Sequence, residues 1–286
     1  MTGLAIGLVL VSACMHAGWN LLAKRASGGA PLIWLFDTLT VVIFAPVIVV
    51  MLFFVPLELS PVTLLFMAVS AVLEVAYFIL LQRGYRLGDL SLVYPLARGT
   101  GPVLATTAAI IILGERPSLL AIIGVIIVAV SIFAMTGGRA SLNDKKARLA
   151  AMYGVLTGFF IAGYTLWDKQ AVSAYHIEPL YYYYGMVIFK VLLLSPYAWR
   201  KRAQVQFEWK QHRLEAVGVA IGGTLSYLLI LVVLSFSPVS YVAPFREISI
   251  LFGTLLGWRL LSESEARRRL PAALGMVIGV IALALG

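Results

Sequence analysis

Charged residues, cysteine and histidine are all scarce in this chain of 286 residues. Only 12% of the residues are charged and 61% are hydrophobic, whereas an ordinary soluble domain is about a quarter charged. The single cysteine, Cys14, excludes an internal disulfide and a cysteine-based metal cluster, and we expect it to pack as a small apolar residue. The three histidines are His16, His176 and His212. Because the chain has no HExxH, no Ser or Cys dyad with a spaced histidine and no aspartates paired at helical spacing, the sequence predicts no enzyme, cofactor or metal site.

Long polar segments are absent as well. Crossing a bilayer takes about 20 apolar residues in a helix. Ten apolar stretches suited to this follow one another, at 3–23, 31–55, 62–82, 90–113, 119–137, 150–170, 179–199, 214–235, 239–259 and 271–286. The longest polar connections, 138–149 and 200–213, are too short to hold a folded domain. The sequence therefore predicts an all-α membrane protein of ten transmembrane helices, in which the first is a retained helix and not a cleaved signal peptide.

The formal net charge of +9 is spread over short loops and is not gathered on one face, so we expect the lipid bilayer, and no nucleic acid, as a partner. Basic residues are frequent in the loops that follow odd-numbered helices, such as 139–148 and 200–213, whereas the opposite side holds mainly Arg116 and Lys169. Cytoplasmic loops are rich in Lys and Arg. This pattern predicts a multi-pass protein of a bacterial inner membrane with both termini on the outer side.

The two halves of the chain resemble each other. AGWNLLAKRA at 17–26 aligns with AGYTLWDKQA at 162–171. SLVYPL at 91–96 aligns with SYVAPF at 240–245, and ILGE at 112–115 aligns with LLSE at 260–263. Each half holds five helices, and an odd number turns the second copy upside down relative to the first. The sequence predicts two inverted five-helix repeats, 1–138 (helices 1–5) and 149–286 (helices 6–10), joined by 139–148, with a ligand site near the middle of the membrane.

Pairs of glycines in the GxxxG pattern predict tight helix packing. Such pairs let two helix backbones approach closely. They occur at Gly3/Gly7, Gly154/Gly158, Gly218/Gly222, Gly253/Gly257 and Gly275/Gly279. We interpret these glycines as structural.

Motifs shared by the halves carry a resemblance to a known family. They are a first helix with a tryptophan and a lysine in each half, the prolines Pro95 and Pro244, and a small residue followed by glutamate at Glu115 and Glu263. Over essentially the whole chain, the sequence resembles the EamA branch of the drug/metabolite transporter (DMT) superfamily. The resemblance implies a secondary transporter that moves a small polar metabolite, an amino acid or an organic anion, across the inner membrane by alternating access.

The same resemblance implies an exporter, working as a monomer or weak homodimer on a small-molecule substrate. The alternatives are a lipid-carrier flippase, a passive channel or a membrane partner without transport activity. Relatives are commonly drawn with cytoplasmic termini, opposite to the orientation that the loop charges predict.

Ionisable side chains inside the apolar stretches are the best pointers to a site, because each is costly unless it faces protein or water. They are His16, Asp37, Glu74, Arg98, Lys190, Arg246 and Glu247. Glu74 and Arg98 are equally far from the turn near residue 86, so we expect them to pair, either as a structural ion pair or with Arg98 left partly free to grip an anion. Under the repeat, Arg98 corresponds to Glu247, beside Arg246. Prolines and glycines interrupt helix 4 around Arg98, which favours an interior position for its side chain.

A second polar cluster is predicted between helices 1 and 2. Asp37 is level with His16 and Asn20 across the turn near residue 27. Histidine titrates near neutral pH, so this cluster is the candidate for proton coupling; the alternative is a hydrogen bond that packs the helices. Lys190 has no partner at its depth, and we expect it to snorkel toward an interface.

Aromatic residues complete the list of candidates. Trp19, Tyr77, Tyr94, Tyr164, Trp167 and Tyr227 fall on helices that line the central cavity in transporters of the resembled fold, where rings stack on a substrate ring or cation; the alternative is ordinary core packing. The tyrosines at 181–184 are expected in an interfacial belt. We expect Lys24 and Lys169 to anchor or gate at helix ends, and Glu115 and Glu263 to lie in turns.

Overall fold

The computed structural model describes residues 3–26, 28–113, 118–135, 144–236, 247–263 and 265–285. These residues form ten helices, and no strand occurs in them. The helices are α1 (Gly3–Ala26), α2 (Ala30–Met51), α3 (Pro61–Leu87), α4 (Leu90–Leu113), α5 (Leu119–Met135), α6 (Lys145–Lys169), α7 (Pro179–Arg200), α8 (Arg202–Phe236), α9 (Ser249–Leu260) and α10 (Ala266–Leu285). A π-helical turn, Gln170–Ala174, extends α6, and α8 bends where His212 leaves the helical conformation.

Several of these helices have the length and composition of membrane spans. Five segments are long and apolar enough to cross a bilayer, namely Gly3–Ala26, Ala30–Met51, Pro61–Leu87, Lys145–Ala174 and Arg202–Val233. Large apolar side chains are exposed on the outside of the bundle, including Leu4, Val72 and Phe159, as expected where lipid replaces water. The chain is therefore an all-α, multi-pass membrane protein, while the crossing of the bilayer by all ten helices remains a prediction.

The helices of the first half pack mainly on those of the second. In the described part of the chain, α1 packs on α8 and α9, α2 on α7 and α8, α3 on α6 and α7, α4 on α6 and α9, and α5 on α10. A single large core of buried residues runs through these contacts, and Tyr85, Tyr94 and Tyr182 are among its most enclosed side chains. Polar side chains that face this core are shielded from lipid.

Glycines allow the closest of these contacts. A Cβ at Gly158 would lie 2.8 Å from the carbonyl oxygen of Ala97, and one at Gly279 would lie 2.9 Å from that of Gly124. The packing prediction is therefore confirmed for Gly154/Gly158 and Gly275/Gly279. It is also confirmed for the glycine pair on α8, which meets side chains of α1, and for the pair on α9, which meets side chains of α4. It is wrong for Gly3/Gly7, where no neighbour lies within 4 Å.

Two further expectations concern single residues. The helix α4 runs unbroken through Pro95, and Arg98 is buried, which confirms the interior position predicted for its side chain. Cys14 is exposed on the surface of α1. The expectation that it packs in the core is wrong, because the side of α1 that bears it faces away from α8 and α9.

Candidate functional site

A cavity lies in the middle of the bundle among α1, α2, α3, α6, α7 and α8. Its volume is about 40 Å³, which has room for a few water-sized groups. Its polar lining consists of His16, Asp37, Thr40, Glu74, Lys190 and Ser226, together with tyrosine hydroxyls. Its ring lining consists of Trp19, Phe36, Tyr77, Phe78, Tyr164, Tyr183 and Tyr227. Four of the six aromatic candidates therefore line one cavity, while Trp167 donates to the carbonyl oxygen of Phe66 at 3.0 Å.

Lys190 is the centre of a buried ion cluster on the cavity wall. Its Nζ lies 2.9 Å from Asp37 Oδ1 and 3.0 Å from Glu74 Oε2, and it lies 5.3 Å from the centroid of the Phe78 ring. The three charged side chains are at most 7% exposed. The expectation that Lys190 snorkels to an interface is wrong, since a buried ammonium held by two carboxylates has no need to reach water.

The predicted pair of Glu74 and Arg98 is also wrong. Counting residues from a shared turn shows that two side chains lie at the same depth in the membrane. It does not show toward which neighbouring helix each side chain points. The helix α3 packs chiefly on α6 and α7 and only slightly on α4. Glu74 therefore faces Lys190 of α7, and Arg98 finds a different partner.

That partner is Glu247. Arg98 Nη2 lies 2.7 Å from Glu247 Oε1, and both side chains are buried. The repeat predicted that Arg98 and Glu247 belong to one midplane set with Glu74 and Arg246; the structure brings Arg98 and Glu247 together, while Glu74 lies with Lys190. Neither residue lines the central cavity. Arg246 lies outside the described residues.

The structure brings together only two of the three residues predicted to cluster between helices 1 and 2, namely His16 and Asp37, and not Asn20. His16 and Asp37 line the same cavity, but the ion partner of Asp37 is Lys190. Asn20 donates to the carbonyl oxygen of His16 at 2.8 Å and accepts from the Tyr85 hydroxyl at 2.7 Å. Its inclusion beside Asp37 is wrong, because its side chain is directed along α1 and toward α3.

Tyr94 is a further aromatic candidate that lies off the cavity. A Cβ at Gly253 would lie 2.4 Å from Tyr94 Cδ1, so the ring fills the contact between α4 and α9. It also lies 6.1 Å from the His16 ring, between centroids. Tyr94 therefore packs behind the cavity wall.

Asp168 was missed by the sequence reasoning. Its carboxylate is buried and accepts hydrogen bonds from Ser70 Oγ at 2.6 Å, from the Tyr182 hydroxyl at 2.6 Å and from the Tyr227 hydroxyl. The donors come from three helices, and Tyr227 also lines the cavity. The sequence did contain a signal for this site, because Asp168 is an acidic residue inside a predicted apolar stretch. It was overlooked because the adjacent Lys169 made this part of the chain look like the charged end of a helix.

The tyrosines at 181–184 are not an interfacial belt. Tyr182 is fully buried on Asp168, Tyr183 shares a hydrogen bond of 3.2 Å with Thr224 Oγ1, and Tyr184 donates to the carbonyl oxygen of Val41 at 3.0 Å. The belt prediction is wrong, because α7 begins against α2, α3 and α8 and its hydroxyls find partners there.

The turn between α3 and α4 is held by side chains from both halves. Lys24 donates to the carbonyl oxygens of Tyr85 and Gly88 at the end of α3. Glu263 accepts from the backbone N–H groups of Leu90 at 2.7 Å and Ser91 at 3.0 Å at the start of α4. A carboxylate at a helix N-terminus and an ammonium at a C-terminus both stabilise the helix ends.

These contacts confirm that Glu263 belongs to a turn region, and they show Lys24 acting as an anchor. Glu115, the expected counterpart of Glu263, lies outside the described residues. Lys169 is partly exposed near the end of α6. Its predicted anchoring role stays a prediction.

An all-α membrane bundle with a buried ion cluster on an internal cavity has the features of a membrane transporter. Residues 148–285 match the family model of the EamA-like transporter family, a domain type of the drug/metabolite transporter superfamily. The resemblance drawn from the motifs is thereby confirmed for residues 148–285, and the family match suggests a membrane transporter of this type.

Two other comparisons bear on the whole chain. No curated protein matches it. A solved crystal structure superposes with a TM-score of 0.62 at 14% identity and covers 99% of this chain and 97% of its own. At this identity the likeness concerns the fold alone.

Proposed function

We propose that this protein is a secondary transporter that moves a small polar metabolite through the central cavity. The observation that carries the proposal is the cluster of Lys190, Asp37 and Glu74, which lies buried on the wall of that cavity. Ionisable groups inside a membrane bundle are expensive and mark substrate or ion pathways.

We further propose that the two halves are inverted repeats. The pattern of helix contacts supports this proposal, because replacing each helix by the one five places along the chain returns most of the contacts, that of α4 with α10 being an exception. The contact of α1 with α8 becomes that of α6 with α3, and the contact of α1 with α9 becomes that of α6 with α4. The contacts of α2 with α7, α4 with α9 and α5 with α10 map onto themselves.

Alternating access requires that the halves separate at one membrane face while they stay closed at the other. Polar contacts between the halves exist on both sides of the cavity. Glu263 bonds to the start of α4 on one side, and Asp168 bonds to Ser70 on the other. We propose that these two contacts open in turn.

The residues assigned to substrate binding are those on the cavity wall. They are Glu74, Tyr77, Trp19, Tyr164, Tyr227 and Asp37, with His16 retained as the proton-coupling candidate. Arg98 and Glu247 form an ion pair off the cavity, so we propose that they join α4 to the start of α9 and do not bind substrate.

The remaining parts of the proposal concern placement and direction. Loop charge supports a bacterial inner-membrane protein with both termini on the outer side. Export is proposed from the family resemblance, and a single chain with two halves supports a monomer as the working unit. Fusion of a reporter to the C-terminus tests the orientation, since a reporter active only in the cytoplasm contradicts it.

Thiol labelling tests alternating access. In a Cys14→Ser background, Ser226→Cys places one thiol on the cavity wall, and a membrane-impermeant maleimide is added to right-side-out and inside-out vesicles. We expect labelling from both faces. The matched control is the wild-type chain, whose exposed Cys14 faces lipid and should remain unlabelled. Labelling of Ser226→Cys from one face alone contradicts the proposal.

A further inference from the structure

The charges on the cavity wall do not balance. Lys190 stands between Asp37 and Glu74, and two negative charges with one positive charge leave a net charge of minus one. His16 adds no positive charge, because its Nδ1 accepts a hydrogen bond from Trp19 Nε1 at 3.3 Å and is therefore unprotonated. An uncompensated charge buried in a membrane bundle is unfavourable. The cavity wall therefore favours a positively charged occupant.

Asp37 offers the contact for such an occupant. Its Oδ1 binds Lys190 at 2.9 Å, while its Oδ2 is buried and has no hydrogen-bond partner among the described residues. The side chain is 2% exposed and lines the cavity. A buried acceptor without a donor is destabilising, and a charged N–H donor from a ligand would satisfy it.

The rings of the cavity suit the same kind of occupant. Faces of Trp and Tyr attract cations that lie within about 6 Å of the ring centroid. Trp19, Tyr183 and Tyr227 line the cavity with Asp37, and Lys190 already lies 5.3 Å from the Phe78 ring. The cavity volume of about 40 Å³ has room for an ammonium head group near Asp37, and an aromatic body attached to it would require these rings to move apart.

An anionic substrate fits the cavity poorly. The ammonium of Lys190 is shared by two carboxylates, so a third anion would meet net negative charge. Among the described residues, Arg98 is a further buried cation, and it is paired with Glu247 away from the cavity lining. The two groups that most often grip carboxylates or phosphates are therefore already engaged.

We infer that the cavity selects substrates that carry an ammonium group, with Asp37 as the residue that accepts it. The inference rests on the proposed transport function and names the chemical class of its substrate. An amino acid meets this requirement through its ammonium group, whereas an organic anion without an amine does not.

Matched ligands test the sign of the charge on the wild-type protein. Purified protein is heated with phenethylamine, with 3-phenylpropionate and with 3-phenylpropionamide, which share one ring and one chain length and differ in charge. We expect phenethylamine alone to raise the melting temperature. Stabilisation by the carboxylate equal to or above that by the amine overturns the inference, and so does a lack of stabilisation by the amine.

A pair of variants tests the residue. Asp37→Asn is expected to weaken phenethylamine binding about thirtyfold or more, because one partner of a buried charged contact is lost. The matched control is Glu265→Gln, which removes the charge of an exposed carboxylate remote from the cavity and should leave binding unchanged. Equal binding by Asp37→Asn and wild type contradicts the assignment of Asp37. If Asp37→Asn does not fold, the comparison of ligands on the wild type still decides the charge of the substrate.

Flux separates this inference from the proposed function. Proteoliposomes are loaded with phenethylamine, and protein-free liposomes loaded in the same way measure its passive leakage. Binding of the amine without protein-dependent flux contradicts the transport function and leaves the site chemistry standing. Flux of 3-phenylpropionate without flux of the ammonium compound contradicts the site chemistry and leaves the transport function standing.

Discussion

The two buried ion clusters of the bundle differ in charge balance and in surroundings. Arg98 and Glu247 form a pair of one positive and one negative charge, closed off between α4 and α9. Lys190 is outnumbered by Asp37 and Glu74, and its cluster borders an open cavity. Both clusters join helices of the first half to helices of the second.

This difference separates structural charges from functional ones. A balanced buried pair can often be replaced by apolar residues with little change or even a gain in stability, whereas loss of one partner is strongly destabilising. An unbalanced cluster beside a cavity leaves charge for a ligand to neutralise. We therefore expect the two clusters to respond in opposite ways when stability and transport are measured on the same variants.

The largest effect is expected for Lys190→Met. The variant leaves Asp37 and Glu74 buried without their cation, so its free energy of unfolding should fall by about 5 kcal/mol, the upper end for a broken buried ion pair. Denaturant unfolding in detergent micelles measures the change. The triple variant that adds Asp37→Asn and Glu74→Gln should recover most of the loss. If Lys190→Met alone is as stable as the wild type, the two carboxylates do not depend on Lys190.

A smaller loss is expected for Arg98→Met, which leaves the single charge of Glu247 unpaired. Its free energy of unfolding should fall by about 3 kcal/mol, and the double variant with Glu247→Met should return to within about 1 kcal/mol of the wild type. The double variant should also keep its transport activity. A double variant that folds well but no longer transports would return Arg98 to the binding site.

The hydroxyl contacts of Asp168 come next. In Asp168→Asn, one of the three hydroxyl donors meets an amide N–H₂ group in place of an oxygen, so stability should fall by about 1–3 kcal/mol. Tyr227→Phe removes a single hydrogen bond and should lose about 1 kcal/mol. Thermal unfolding of both variants compares the two losses. A greater loss in Tyr227→Phe than in Asp168→Asn contradicts the view that the carboxylate organises the three donors.

The smallest effect is expected where Glu263 meets the start of α4. Glu263→Gln keeps an acceptor for the N–H groups of Leu90 and Ser91 but loses the charge, which should reduce stability by about 0.3–1 kcal/mol. Glu265→Gln, two residues away and exposed, should show almost no change. Equal losses in the two variants would mean that the contact of Glu263 with the helix adds nothing measurable.

The helices were largely predictable from the sequence because a membrane span needs a long apolar run. The stretch predicted at 90–113 coincides with α4, and the one at 179–199 is within one residue of α7. The proximity of Arg98 and Glu247 was predictable because the two residues occupy corresponding positions in the two repeats. That correspondence does not depend on knowing which way the side chains point around their helices. The drug/metabolite transporter resemblance likewise depended on motifs that recur in both halves.

The direction of side chains around each helix was not predictable in the same way. Distance from a turn gives depth alone, so Glu74 was matched with Arg98 when Lys190 was its partner. The site of Asp168 needs Ser70 and two tyrosines from three separate helices. Such contacts depend on how the helices pack, and no short sequence pattern encodes that packing.

The flux of phenethylamine out of loaded proteoliposomes, above the leakage from protein-free liposomes, tests most directly that the cavity around Lys190 is the substrate site. It is measured for Asp37→Asn and for the double variant Arg98→Met/Glu247→Met. Flux should be lost in Asp37→Asn and kept in the double variant. Flux at the wild-type level in Asp37→Asn, together with its loss in a folded double variant, would contradict the assignment and place the site at Arg98.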